Sequence, residues 1–148
     1  VKTINSILML RSQEEMFATA DVCILDLVGG TADFIKIGGA PSFLRRENKV
    51  EIIRQDALPI GILEEVQLEN ISAPIQDEDR IVMVTDGILD AFAVMGDRER
   101  ALADFIATLN TINPQEIADS VMEEALLQTD GVAKDDMTVL VGRIWTPC

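Results

Sequence analysis

The sequence predicts an α+β fold, with mainly antiparallel strands and a helix pair set before the last strand. Three observations carry that expectation. Short apolar runs bounded by Gly, Pro, Asn and Asp recur through the first part of the chain, two segments of helical period follow Asp97, and one further apolar run comes last. Strands alternating with helices would instead signal a parallel α/β sheet. The 148 residues, 48% hydrophobic, are enough for one core, and a single domain over residues 1–148 is expected.

The opening "VKTINSILMLRS" sets Val1, Ile4, Ile7 and Leu8 on one helical face with no capping residue before Val1, so the chain is expected to enter this helix midway. An apolar surface left by such a cut would favour self-association. "ATADVCILDL" and "ADFIKI" read as a hairpin about Gly29 and Gly30, and "GGAP" breaks the second strand. "SFLRRENKVEIIRQ" reads as a second hairpin around Glu47 to Lys49, with Asn48 suited to the left-handed position. "LPIGILEE" is a loop, "VQLENIS" an alternating strand and "APIQDED" a polar connection.

Arg80 to Thr85, "RIVMVT", is apolar on both faces and so a central, covered strand. Leu102, Phe105, Ile106 and Leu109 define one helix. Asn113-Pro114-Gln115-Glu116 opens the next, with Asn as N-cap, Pro at the first helical position and Glu closing a capping box. Its buried stripe is Ile117, Val121, Ala125 and Gln128, and Gly131 is placed to end it. "DDMTVLVGRIW" reads as a last strand, again apolar on both sides.

Composition removes several kinds of chemistry. Twelve Lys and Arg against 26 Asp and Glu give a formal charge of -14, which repels nucleic acid and anionic membranes over most of the surface. With no His and no Tyr there is no Ser-His triad and no imidazole for a transition metal. Cys23 in an apolar run and Cys148 at the last position fit a reduced, cytosolic setting better than a secreted one. No run approaches the roughly 18 apolar residues of a membrane span, so no direct membrane contact is expected from this segment.

The acids carry the functional signal. Asp86 ends one apolar strand, and Asp135 with Asp136 begins another. If those strands lie antiparallel and adjacent, the three carboxylates meet at one sheet edge, where they repel one another unless a cation neutralises them. Without His or paired Cys the favoured ion is hard and oxygen-seeking, Mg²⁺ or Mn²⁺. Gly87 would let the backbone approach closely, and Asp90, four residues after Asp86, could reach the same ion. Asp-Gly is equally a common turn, Asp-Asp a common solvated pair, and Asp90 equally a surface acid. No segment matches an EF-hand loop. In "IGGAPSFLRR", Arg45 or Arg46 could hold a phosphate; on spacing alone, a hairpin with exposed arginines is favoured.

Together "VMVTDGILD" and "KDDMTVLVGRI", separated by a helix pair, resemble the last two motifs of the PPM-type Ser/Thr phosphatases, the protein phosphatase 2C class. "IGGAPSFLRR" is similar to the Gly-x-x-Pro hairpin of that family's bacterial sporulation and stress-response branch. The resemblance covers nearly the whole chain. It implies an αββα sandwich with two Mn²⁺ or Mg²⁺ ions, and a metal-activated water that hydrolyses phosphoserine or phosphothreonine without a phosphoenzyme. Asp86 and Asp135 match metal ligands, and Asp136 stands where many members have Asn. The first family motif, whose Asp bridges both metals, lies upstream of the opening helix, so the 148 residues are expected to be inactive alone. The resemblance further implies a phosphorylated anti-anti-sigma factor as substrate, and a cytoplasmic domain of a parent anchored at the sporulation septum. The rival reading is a non-catalytic partner-binding module on the same scaffold.

Overall fold

Residues 2–10, 17–62, 70–133 and 135–145 are described by the computed structural model, and they divide into two units. One comprises residues 1–39 and 54–74, the other residues 40–53 and 75–148.

The first unit contains α1 (Lys2–Leu10), β1 (Ala20–Asp26), β2 (Thr31–Ile37) and β5 (Asn70–Pro74), with sheet order β1-β2-β5 and both pairings antiparallel. The first hairpin forms because Asp26 supplies its own turn chemistry. Its carboxylate accepts from the amides of Val28 (3.0 Å) and Gly29 (2.8 Å), and Gly30 takes a φ of 69° that a side chain would resist. Along the central strand β2, Ala32, Phe34 and Lys36 share a buried face. Lys36 is the anomaly on that face, and the register sets it directly opposite Asp21, with which it forms an ion pair.

Along α1, Ile4 and Ile7 are about half exposed, in keeping with the apolar surface expected there, and Asn5 is buried, its Oδ1 accepting from the Gly61 amide at 2.8 Å. A polar group can be buried here because that bond satisfies it. Val1, the start of the expected strand at residues 66–69 and the end of the loop at 63–65 lie outside the described residues.

The second unit contains β3 (Ser42–Arg46), β4 (Lys49–Ile53), β6 (Arg80–Val84), α2 (Asp86–Ala91), a 3-10 turn (Phe92–Met95), α3 (Arg98–Thr108), α4 (Pro114–Gln128) and β7 (Val139–Arg143). Its sheet runs β4-β3-β6-β7, every pairing antiparallel. The helices cover one face, where Phe43, Val82 and Val84 of the sheet pack with Leu102 and Ile106 of α3 and Ile117, Val121 and Ala125 of α4. Of the stripes expected from helical period, Leu102, Ile106, Ile117, Val121 and Ala125 are buried and Phe105, Leu109 and Gln128 half-buried, each large fully buried side chain contributing about 1.5–3 kcal/mol.

Three details differ from expectation. Strand β6 is central and covered, but β7 is an edge strand with Leu140 and Trp145 more than half exposed. Glu47, not Asn48, takes the positive φ of 54°, because a two-residue hairpin requires it at the first loop position. Asn113 caps α4 by accepting from the Gln115 amide at 2.9 Å, yet Glu116 does not close the box on the Asn113 amide. That amide donates to Thr111 Oγ1 at 3.1 Å, while the Thr111 hydroxyl donates to the Glu116 carboxylate.

Candidate metal centre

The antiparallel pairing of β6 with β7, Val84 opposite Val139, carries both chains to the same edge. Beyond Val84 the backbone turns at Thr85 into α2, so Asp86 is the first residue of a short helix rather than the last of a strand. A carboxylate there is favoured by the helix N-terminus. Opposite it run Asp135 and Asp136, whose side chains, like that of Asp86, are exposed. The Asp136 amide donates to Asp135 Oδ1 at 2.8 Å, which orients the Asp135 carboxylate.

Gly87 explains how closely the two chains approach. A Cβ at this position would lie 2.5 Å from Asp136 O and 3.3 Å from the Asp135 carbonyl carbon, closer than packed atoms tolerate. The requirement at Gly87 is therefore space for the neighbouring backbone, not a left-handed turn. Gly87→Ala is expected to push residues 135–136 away from Asp86 and to weaken Mn²⁺ binding about tenfold or more, the scale seen when supports of a metal site are lost. A titration in which Gly87→Ala binds Mn²⁺ like the parent would contradict this.

Asp90 is turned to another task. Its carboxylate forms an ion pair with Arg98 at the start of α3, which ties α2 to the next helix. Among the described residues no group of three Asp, Glu, Cys or His stands close enough to hold an ion unaided. The donors at this edge are exposed carboxylates, the oxygen chemistry that suits a hard cation, which needs only one or two of them from the protein.

The two arginines stand elsewhere. The β3–β6 register puts Arg45 opposite Arg80, with Arg46 one residue further from Ser42, which pairs with Met83 near the Asp86 edge. From Arg80 to Asp86 the chain travels roughly 15–20 Å at about 3.4 Å per residue, so neither arginine reaches the carboxylates. Arg45 is buried, not exposed as the hairpin reading expects, and its guanidinium donates to the carbonyls of Glu47 (2.9 Å), Thr111 (3.3 Å) and Leu109. It closes the C-terminal end of α3, where orphan carbonyls need donors. Burial and the neighbouring Arg80 charge lower its pKa. Arg46 grips the buried Asp79 carboxylate through Nε (2.9 Å) and a terminal nitrogen (2.7 Å), a bidentate bond that raises its own pKa.

Sequence reasoning passed over Thr85. Its amide donates to Thr138 O (3.1 Å), and its hydroxyl bridges Asp136 O (2.8 Å) and the Thr138 amide (2.9 Å). The only available signal was a hydroxyl residue beside each acidic motif, "TDG" and "DDMT".

This arrangement of antiparallel sheets and helices is that of a protein phosphatase 2C domain. The solved PP2C phosphatase domain of stage II sporulation protein E from Bacillus subtilis, with a fragment of its regulatory domain, superposes with a TM-score of 0.88 at 38% identity, over 97% of this chain and 43% of that one. A Mn-presoaked structure of the same phosphatase domain gives 0.80 at 36% identity, over 100% of this chain and 67% of that one. The family model for stage II sporulation protein E matches residues 1–145, and the chain belongs to that family. It is 39% identical over 144 residues to stage II sporulation protein E of Priestia megaterium, covering 97% of this chain and a quarter (25%) of that protein's length.

Proposed function

We propose that this chain is part of a metal-dependent protein-serine/threonine phosphatase domain in which Asp86 and Asp135 hold Mn²⁺ or Mg²⁺ ions. The observation that carries the reading is the β6–β7 pairing, which brings the two aspartates to one edge of a PP2C-type fold. Ions bound there supply an activated water and neutralise charge on a phosphoryl group. Asp86 and Asp135 are the ligands from this chain, Gly87 admits the Asp135–Asp136 backbone, and Asp136 contributes through its main chain. The 148 residues alone are proposed to be inactive, with two ions held only in the full domain.

The family's role in sporulation supports the finer assignment: the substrate is a phosphoserine on an anti-anti-sigma factor, and its dephosphorylation regulates a sigma factor. No helix among the described residues is long and apolar enough to cross a membrane. In this proposal the domain is cytoplasmic and its parent is anchored at the sporulation septum by other segments. The test is dephosphorylation of that factor by the full-length protein. We expect phosphate release that requires Mn²⁺ and ceases with a chelator; binding of the phosphorylated factor without phosphate release would instead establish a partner-binding module.

A further inference from the structure

Thr85 stands where an N-cap should be, with extended backbone (φ -88°, ψ 165°) and a carbonyl that accepts from the Ile88 (3.1 Å) and Leu89 (3.3 Å) amides. A capping threonine ordinarily turns its side-chain oxygen to a free amide of the first helical turn. Thr85 does not: it makes no side-chain cap bond. Its hydroxyl faces the neighbouring chain instead, donating to Asp136 O at 2.8 Å and accepting from the Thr138 amide at 2.9 Å. With the bond from its own amide to Thr138 O, one residue makes three bonds to residues 136–138.

The chain of bonds continues to a carboxylate. The Asp136 carbonyl is held by Thr85, and the Asp136 amide donates to Asp135 Oδ1 at 2.8 Å. Thr85 thus restrains the backbone of the residue whose amide holds one Asp135 oxygen, and so bears on the direction in which Asp135 presents the other. Gly87, two residues beyond Thr85, leaves the space that this approach needs.

We propose that Thr85 is a positioning residue for the metal site, acting through the Asp136 backbone to orient the Asp135 carboxylate toward the ion it would hold. The proposal rests on the reading of Asp86 and Asp135 as metal ligands. Supports of this kind around a ligand set metal affinity by holding its orientation, and their loss costs about 10- to 100-fold.

Thr85→Val keeps the β-branched shape and removes both hydroxyl bonds, while Thr85→Ser keeps the hydroxyl. Asp136 and Thr138 are exposed, so water replaces the lost partners and the melting temperature should barely move. In the full-length protein, Mn²⁺ affinity is read by electron paramagnetic resonance titration, and hydrogen exchange is followed in the peptide spanning residues 135–140. Thr85→Val is expected to bind Mn²⁺ about 10- to 100-fold more weakly and to exchange faster in that peptide, with Thr85→Ser restoring both. Parent-like Mn²⁺ binding or unchanged exchange in Thr85→Val, with Asp135→Ala still impaired, overturns the positioning role alone. If Asp135→Ala also binds Mn²⁺ like the parent, the metal reading fails and the positioning role falls with it.

Discussion

Replacing Asp86 or Asp135 with alanine is expected to lower phosphatase turnover of the full-length protein by about a thousandfold or more. A metal site supplies several kcal/mol of charge stabilisation at the reacting phosphoryl group, and about 4 kcal/mol corresponds to three powers of ten in rate. Each variant should also weaken Mn²⁺ binding, which separates loss of the ion from loss of the fold. The neighbouring acids provide the contrast. Asp90→Ala removes a carboxylate engaged with Arg98 and should cost far less, since that pair is exposed and salt-screened. Asp136→Asn keeps the main-chain groups that bond Thr85 and Asp135, and should preserve most activity. Equal losses for all four substitutions would mean that the edge acts as a general acidic surface, and the ligand assignment would fall.

The second large effect concerns stability. The Lys36 side chain is fully buried (0% exposed) beside Asp21 (18%), so Asp21→Ala leaves an ammonium in the interior without that counter-charge. Breaking a buried pair from one side costs about 3–5 kcal/mol, and the partial exposure of Asp21 places this case toward the lower end. The double variant Lys36→Met, Asp21→Leu removes both charges and should come within about 1 kcal/mol of the parent, or exceed it. Urea denaturation checks both: Asp21→Ala should lower the midpoint at unchanged slope, and the double variant should restore it. A single variant as stable as the parent would refute the pair's role.

Burial also pushes the Lys36 ammonium below its ordinary value, outweighing the opposing pull of the Asp21 carboxylate. In the pH range between that lowered value and the ordinary lysine range, the unfolded chain binds more protons than the folded one. Lys36 therefore contributes a rise in stability as pH increases through this alkaline window, and the penalty for its charge is fully present below it.

Local pattern was legible where one periodicity met one environment. Helices α3 and α4 bury the stripes that spacing alone marks out, and Asn113 caps where it should. The two hairpins also follow from turn residues and apolar runs. What escaped depended on partners distant in sequence. Apolar residues on both faces of "TVLVGRIW" do not distinguish a central strand from an edge one, and β7 is the edge. Nothing local marks Asn5 for burial, which is made tolerable by an amide 56 residues away. Arg45 resembled an exposed phosphate ligand because nothing local reveals that Leu109 and Thr111 receive its guanidinium.

By itself the sequence determined the class of fold and the motif resemblance that points to the phosphatase family, because composition and short-range period are local properties of the chain. Only the tertiary structure decided which acids share an edge. The antiparallel pairing of β6 with β7 carries the segments of Asp86 and Asp135 to one edge, Asp90 pairs with Arg98, and Arg45 and Arg46 sit at the other end of the sheet. The tertiary structure likewise turned the hydroxyl of Thr85, the N-cap residue of α2, toward the chain at Asp136 and Thr138. The physical reason is common to all of these: strand register sets which side chains share an edge, and no residue carries its own register.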